Sequence, residues 1–468
     1  MPIPARAGWT LPLMAACAAL TPHTGSQDLD QPFTLRRSDR PFSWRDARDC
    51  PPDVFGPAIE DVFSEALDAP VSFASPVPET LALNPSPLPP GQNVLLMDYL
   101  RAPAPEDTAG LRTLAQNFDL LVLHEWHAPK IATFRQYNPD IVVLLYKTRG
   151  FAFTNTQEAV ENYNNVKQHD FVFMHDASGA HIAWDWNGDG RLEAASPRPE
   201  VAAYQSYYYD RALASVSAGG FDGLLIDDLW TYEGVYGTPD VVEYSNAGNF
   251  DALQAAMTSY LAAGLQRTRA SGLYLAGNIG WWQQPTGAGG RAGRRYMEQL
   301  DFAMQEKFFI SHTTRWNTGN AWFPEINNLI REMRETGNAL ICHSRGDTND
   351  RQAMLYALGC YLSITDRDGR AVFSYLDERS SSRIPPIFAE YELAERLGRP
   401  LYDVRWHSTR LCGYRQFANG YVVVNPNSTA RTVPELAGLY DLGGVRVPSA
   451  GYTFPAYSAM LFFYSPVQ

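Results

Sequence analysis

The chain has 468 residues, of which 45% are hydrophobic and 13% aromatic, and its formal net charge is −13. This size and apolar content suit one large domain with a smaller companion and exclude global disorder. The acidic balance argues against a phosphate-binding surface, so no nucleic-acid partner is expected and a neutral or cationic ligand fits better.

Residues 1–24 read as an export segment. Arg6 is followed by a mostly apolar run from Trp9 to Leu20, too short to be a permanent membrane anchor. Met14-Ala15-Ala16-Cys17 resembles a lipobox, which would place a lipid anchor on Cys17. An exported protein is therefore expected: periplasmic, secreted or lipid-anchored. Residues 25–90 are rich in Pro, Ser and Asp and read as an extension, with a helical look only over Val54–Leu67. None of the five cysteines stand at CxxC spacing, so zinc and redox motifs of that kind are absent. Cys50, Cys342, Cys360 and Cys412 are left as either disulfides or buried thiols.

From about residue 91 to 402 short apolar runs alternate with helical patterns. The runs are Val94–Met97, Leu120–Leu123, Ile141–Tyr146, Phe171–Met174, Gly223–Ile226, Leu273–Ala276, Phe302–Gln305 and Ala339–Cys342, with a further candidate at Ala371–Tyr375. Runs that are apolar on both faces indicate parallel strands covered by helices. Helices are expected over Asp107–Asn117, Thr156–Gln168, Glu200–Ala218, Asn249–Ser271, Ala321–Thr336 and Asp347–Tyr361. The alternation predicts an α/β fold, either a (β/α)8 TIM barrel or a doubly wound sheet. No GxGxxG or Walker sequence follows a strand, which removes the main nucleotide-binding form of the doubly wound sheet; the (β/α)8 barrel is the expected fold. Over 403–468 the helical pattern stops. Gly413–Val424, Thr432–Leu436, Val445–Val447 and Ala459–Tyr464 predict a small antiparallel, β-sandwich-like domain without chemistry of its own.

Reactive groups of a parallel barrel lie at the C-terminal ends of its strands. The polar residues closing the runs are Asp98, His124 with Glu125, Lys147 with Arg149, His175 with Asp176, Asp227 with Asp228, Asn278, Glu306 with Lys307, and His343 with Arg345. Two segments stand out. Gly219-Gly220-Phe221-Asp222-Gly223 turns into a strand that ends on Asp227-Asp228. Adjacent strand residues point to opposite faces, so Asp227 is the catalytic candidate and Asp228 a cap or hydrogen-bonding partner. Leu300–Phe308 carries a second buried strand that ends on Glu306. Hydrolysis of a glycosidic bond needs two carboxyl groups, one protonated as acid and one ionised as nucleophile or base. Asp227 and Glu306 meet that need, and Glu125 can replace either.

Loop aromatics point the same way. Trp126, Trp230, Tyr232, Trp281, Trp282, Trp316 and Trp322 mostly follow strands, where flat rings with polar edges stack on sugars. Trp126, Trp230 and Trp281 are taken as substrate-binding, with Asp98, Lys147, His175, Asp228, Asn278, His343 and Arg345. Asp185-Trp186-Asn187-Gly188-Asp189-Gly190 matches the start of a calcium loop, but position 12 is Ser196. Asp185, Asn187 and Asp189 are thus a weak calcium site, which a plain hairpin explains equally well. His124-Glu125-Trp126-His127 lacks the spacing of HExxH, and no Gly-x-Ser-x-Gly elbow occurs.

Phe221-Asp222-Gly223-Leu224-Leu225-Ile226-Asp227, with the strand ending at Glu306, resembles the hypothetical glycosyl hydrolase families with TIM barrels. These are distantly similar to endo-α-1,4-polygalactosaminidases. Asp119–Glu125 and Phe171–Gly179 resemble the early strands of the same group, and Arg415–Pro426 resembles its trailing β module. The resemblance spans about 92–468 and implies a glycosidase with Asp227 and Glu306 as catalytic residues. The expectation is a monomeric, exported glycoside hydrolase that requires no cofactor and acts on a polysaccharide or oligosaccharide. Two alternatives stand beside it. One is a carbohydrate-binding barrel without catalysis. The other is a metal-dependent polysaccharide deacetylase or hydrolase using His175, Asp176 and His343.

Overall fold

The computed structural model describes residues 88–99, 107–152, 194–231, 250–280, 290–377 and 386–467. It also describes residues 169, 173–176, 178–184, 244, 282–284 and 286. The export segment with Cys17, Cys50, the calcium loop at Asp185, Asn187 and Asp189, and Trp281 lie outside these residues.

Eight parallel strands form a nearly closed barrel in the order β1 (Met97–Tyr99), β2 (Leu120–Leu123), β3 (Val142–Thr148), β7 (Gly223–Trp230), β8 (Tyr274–Gly280), β9 (Phe302–Ser311), β11 (Ala339–Arg345) and β12 (Ala371–Leu376). A parallel bridge from Leu96 to Phe373 and the Phe373 N–H donating to Leu95 O at 2.7 Å bring the last strand to the first. A helix follows each strand: α1 (Thr108–Asn117), α2 (Ile131–Tyr137), α3 (Ala202–Gly219), α4 (Asp251–Ala270), α5 (Ala292–Met297), α6 (Trp322–Thr336), α7 (Arg351–Leu362) and α8 (Ala389–Arg396). Local chemistry sets several ends. The Asp107 and Asp350 carboxylates accept from Gly110 N at 2.7 Å and Ala353 N at 2.9 Å, capping α1 and α7. Gly220 and Gly337 end α3 and α6 in the left-handed conformation.

Strand alternation divides the core into two layers. Leu95, Met97, Leu120, Val122, Val142, Leu144, Leu225, Ala276, Phe302, Met304, Ile341 and Val372 fill the barrel. Leu96, Leu121, Leu123, Val143, Leu145, Leu224, Ile226, Leu275, Ala303, Leu340 and Phe373 face the helices. Three aspartates clamp the lower rim. Asp119, Asp222 and Asp301 each precede a strand and accept the backbone N–H at the start of the preceding barrel strand. Their donors are Leu96 N, Val143 N and Leu275 N, each at 2.8 Å. This gives Asp222 of the sharpest sequence motif a structural task. Gly223 after it is required by space, since a Cβ there would stand 2.3 Å from Tyr274 O.

One expected barrel strand is corrected. Phe173 and Met174 belong to an excursion between β3 and α3, not to the barrel. There β4 (Phe151–Ala152), β5 (Ala183–Trp184) and β6 (Ala194–Ala195) form a small antiparallel sheet, and Phe173 bridges Pro197. A short apolar run bounded by turn residues reads alike in a hairpin and in a barrel strand, so periodicity did not separate them. Ala371–Leu376 supplies the eighth strand instead. A short strand β10 (Thr314–Arg315) folds back on β9.

At the C-terminus β13 (Arg405–His407), β14 (Cys412–Phe417), β15 (Gly420–Asn425) and β18 (Ser458–Phe463) form an antiparallel sheet. The pair β16 (Arg431–Val433) and β17 (Tyr452–Phe454) covers part of one face. The other face packs on α7, where a Cβ at Gly359 would meet Ala459 Cβ at 2.4 Å. Cys342, Cys360 and Cys412 are buried free thiols. Among the described residues no helix is long and apolar enough to cross a membrane.

Candidate active site at the C-terminal mouth of the barrel

The alternation that fills the barrel also fixes which side chain each strand turns toward its axis at the upper end. Following it upward gives Tyr99, His124, Tyr146, Asp227, Asn278, Glu306, His343 and Ser374, one from each strand or the residue just after it. These eight form a ring around the mouth. The sequence reading found Asp227, Glu306, Asn278, His343 and His124. It missed Tyr99, Tyr146 and Ser374, which the period-two register of their strands would have given.

Asp227 is buried, 2% exposed, and its carboxylate is held by fixed donors. Tyr146 Oη–H donates to Oδ2 at 2.7 Å, while Asn278 Nδ2 at 2.7 Å and Asp228 N at 2.8 Å donate to Oδ1. Three donors favour the ionised form. Burial, reinforced by the Asp227 charge, pushes the Tyr146 phenol well above its ordinary value, so it stays a donor. The bulge that follows explains how two adjacent aspartates are accommodated. Ile226 pairs with Gly277 but Leu229 pairs with Ile279, so β7 carries one extra residue. Asp228 takes the left-handed conformation, φ 66°, and Leu229 returns to the outer layer. Asp228 Oδ2 accepts from Thr148 Oγ1 at 3.0 Å, the partner role expected of it.

Glu306 stands beside His343 in register, again directly before an irregularity. The next β11 pairing is Arg345 with Ser311, and Lys307 and Phe309 between have φ of 64° and 53°. The Glu306 carboxylate is ion-paired with the buried Arg345 guanidinium, and its side chain keeps 13% exposure. His343 Nδ1 meets Ser374 Oγ at 3.1 Å, and its ring lies 6.3 Å from Tyr99. The two candidate carboxylates thus sit on β7 and β9 with Asn278 on the strand between them. Neighbouring strands are about 4.8 Å apart, so their backbones are separated by roughly 10 Å.

Other expected site residues occupy different surroundings. Glu125 opens a 3-10 turn, Glu125–Lys130, and pairs with Lys147 Nζ at 2.8 Å on the rim. Trp126 is 40% exposed and lies on His124. Trp230 has the Arg149 guanidinium 5.4 Å from its ring, and Arg149 also donates to Pro197 O and Ser196 Oγ of the excursion. Asp98 is corrected. It alternates with the inward Met97 and Tyr99, so it faces the helix layer, where it is 1% exposed. Burial raises its carboxyl to about 7. His175 is corrected with its strand: it bridges His181 in the excursion and ends no barrel strand. The Asp176 carboxylate is taken up by Ser178 Oγ, Ser178 N and Ala180 N. His343 lies on β11, and no group of three metal-ligating side chains occurs among the described residues. Trp282 and Trp322 are core anchors, the former donating Nε1–H to Glu332 at 2.8 Å.

A (β/α)8 barrel with inward carboxylates at its C-terminal mouth defines the architectural class of many glycoside-processing enzymes. The chain belongs to hypothetical glycosyl hydrolase family 15, whose profile matches residues 135–421. Three solved structures similar to it are of carbohydrate-active enzymes. Trehalose-6-phosphate hydrolase of Bacillus licheniformis is 12% identical, with 79% of this chain and 99% of that one covered and a TM-score of 0.48. The β-L-arabinopyranosidase of Geobacillus stearothermophilus is 10% identical, with 81% and 98% covered and a TM-score of 0.45. The cycloisomaltooligosaccharide glucanotransferase of a Paenibacillus species is 12% identical, with 54% of this chain covered and a TM-score of 0.38; the match spans 38% of that enzyme. No curated protein matches the chain.

Proposed function

We propose that the chain hydrolyses an O-glycosidic bond of a neutral oligosaccharide or polysaccharide, using Asp227 and Glu306. The observation that carries this reading is the fixed, three-donor setting of the inward Asp227 carboxylate, with a second inward carboxylate two strands away. Asp227 is the ionised partner. Its donors stabilise negative charge and hold its oxygens in place, as a nucleophile or a water-activating base requires. Glu306 is the proton carrier. Its 13% exposure lets it be reloaded from solvent each turnover while Asp227 is nearly closed off, and the Arg345 guanidinium beside it favours its ionised form, which confines the acid role to the acidic side of the pH profile. In the bond-breaking step the Glu306 proton passes to the glycosidic oxygen as the C–O bond breaks. Asp227 either bonds to the anomeric carbon or takes a proton from the attacking water. The expectation of an exported enzyme belongs to this proposal and places the glycan outside the cytoplasm.

The test is a panel of neutral polysaccharides scored by release of reducing ends. The wild-type chain is expected to cleave at least one member. Asp227→Asn and Glu306→Gln should each lose at least about 100-fold in rate, with unchanged circular dichroism. Full activity in both variants overturns the assignment.

A further inference from the structure

We infer that the sugar chain crosses the mouth from the β9 side toward the β2 side, with the second sugar on the non-reducing side of the cleaved bond stacked on Trp126. This rests on the roles of Asp227 and Glu306 proposed above. Trp126 is a large ring left 40% exposed on a turn fixed from several sides. Lys147 Nζ holds Glu125 before it at 2.8 Å, and the His124 N–H donates to Nδ1 of the buried His127 after it at 3.1 Å. One face of the indole lies on His124, with centroids 4.1 Å apart and planes 14° from parallel. His124 in turn meets Tyr146 edge-on at 4.9 Å, and Tyr146 donates to Asp227. A ladder of rings therefore runs from open surface to the reacting carboxylate.

Barrel order gives the direction. β2 stands four strands from β9 in a ring of eight, directly across the mouth, and β7 lies between them. Glu306 protonates the leaving oxygen, so the leaving sugar lies toward β9 and the retained part extends toward β2. The first retained sugar occupies the space above Tyr146 and Asp227, and the next reaches the indole. A rigid, half-bare indole suits the C–H face of a pyranose, whose hydroxyls stay at its edge. The ligand class is thus a neutral pyranoside with at least two sugars on the non-reducing side.

The test uses the full chain and 4-nitrophenyl glycosides of gluco- and galacto-configured sugars, each with one or two sugars before the chromophore. Trp126→Ala should lower kcat/KM about tenfold on the two-sugar compounds, the loss falling on KM. On the one-sugar compounds the change should stay within about twofold, and Trp126→Phe should recover most of the loss. Equal loss on both lengths, or no loss, overturns the proposal. A neutral-oligosaccharide array probed with the Glu306→Gln chain gives a readout independent of turnover. Adding Trp126→Ala should abolish the array signal. An undiminished signal, or no signal from Glu306→Gln at all, overturns the platform. If Asp227→Asn and Glu306→Gln remain active while Trp126→Ala loses binding, the catalytic reading and the inferred direction fall, and the stacking site stands.

Discussion

Asp98→Asn separates a buried structural carboxyl from a substrate contact. Asp98 is 1% exposed, and burial raises it from 3.8 to about 7. The folded state therefore binds this proton more tightly than the unfolded chain. Below about pH 4 both states are protonated and the group adds no pH dependence. As pH rises toward 7 the unfolded chain ionises first and folding stability falls; above 7 the penalty is constant. Roughly three units at 1.36 kcal/mol each give a penalty of about 4 kcal/mol at pH 8. Asparagine removes the titration. Over the described residues a change of that size corresponds to roughly 5 °C in Tm. Thermal unfolding of both proteins from pH 4 to 8 should show the Asn variant gaining on the wild type as pH rises, and levelling near pH 7. Taking the difference cancels other titrating groups, including Asp119, which burial raises to about 6. kcat/KM should stay within about twofold, since the side chain faces the helices. Parallel pH curves, or a large loss of kcat/KM with no change in Tm, would refute the placement.

Four further outcomes follow from the site and its support. Tyr146→Phe removes a hydrogen bond to a charged oxygen and should lower kcat/KM roughly 10- to 100-fold without loss of fold. Arg345→Met removes the positive charge that favours ionised Glu306. Glu306 then keeps its proton to higher pH, and the basic limb of the kcat/KM profile should move to higher pH; an unmoved limb argues against Glu306 as the acid. NMR of the first-formed product anomer distinguishes direct attack by Asp227, which gives retention, from water activation, which gives inversion. Asp222→Ala leaves the Val143 N–H without its carboxylate and should cost about 1–3 kcal/mol of stability in denaturant melts, with activity per folded molecule unchanged.

The barrel was legible because parallel strands buried on both faces write continuous apolar runs, and seven of the eight main runs overlap barrel strands. Ala371–Tyr375, held as an extra candidate, closes the ring. The run at Phe171–Met174 misled because nothing within four apolar residues encodes what they pair with. The same limit applied to the rim. Choosing the polar residue after each run finds Asp227 and Glu306, which the strand register turns toward the barrel axis at the mouth. It picks Asp98 over Tyr99 because charge was weighed above register. Tyr146 was hidden inside its apolar run, and its role depends on a partner 81 residues away. Trp282 and Trp322 have the composition of sugar platforms. Burial against α5 and the C-terminal sheet, which sequence does not display, makes them core anchors.

The three rim aspartates have an implication for how the molecule is partitioned. Asp119 ties β2 to β1, Asp222 ties β7 to β3, and Asp301 ties β9 to β8, so the clamps couple first with second, third with fourth, and fifth with sixth. Three of the four quarters of the ring are thereby clamped pairs of strands, although no fixed-period repeat is visible in the sequence. Cuts between quarters leave every clamp intact, and cuts within a clamped quarter sever one. Split or circularly permuted chains should accordingly reassemble when opened after α2 or α4, and fail when opened after α1, α3 or α5.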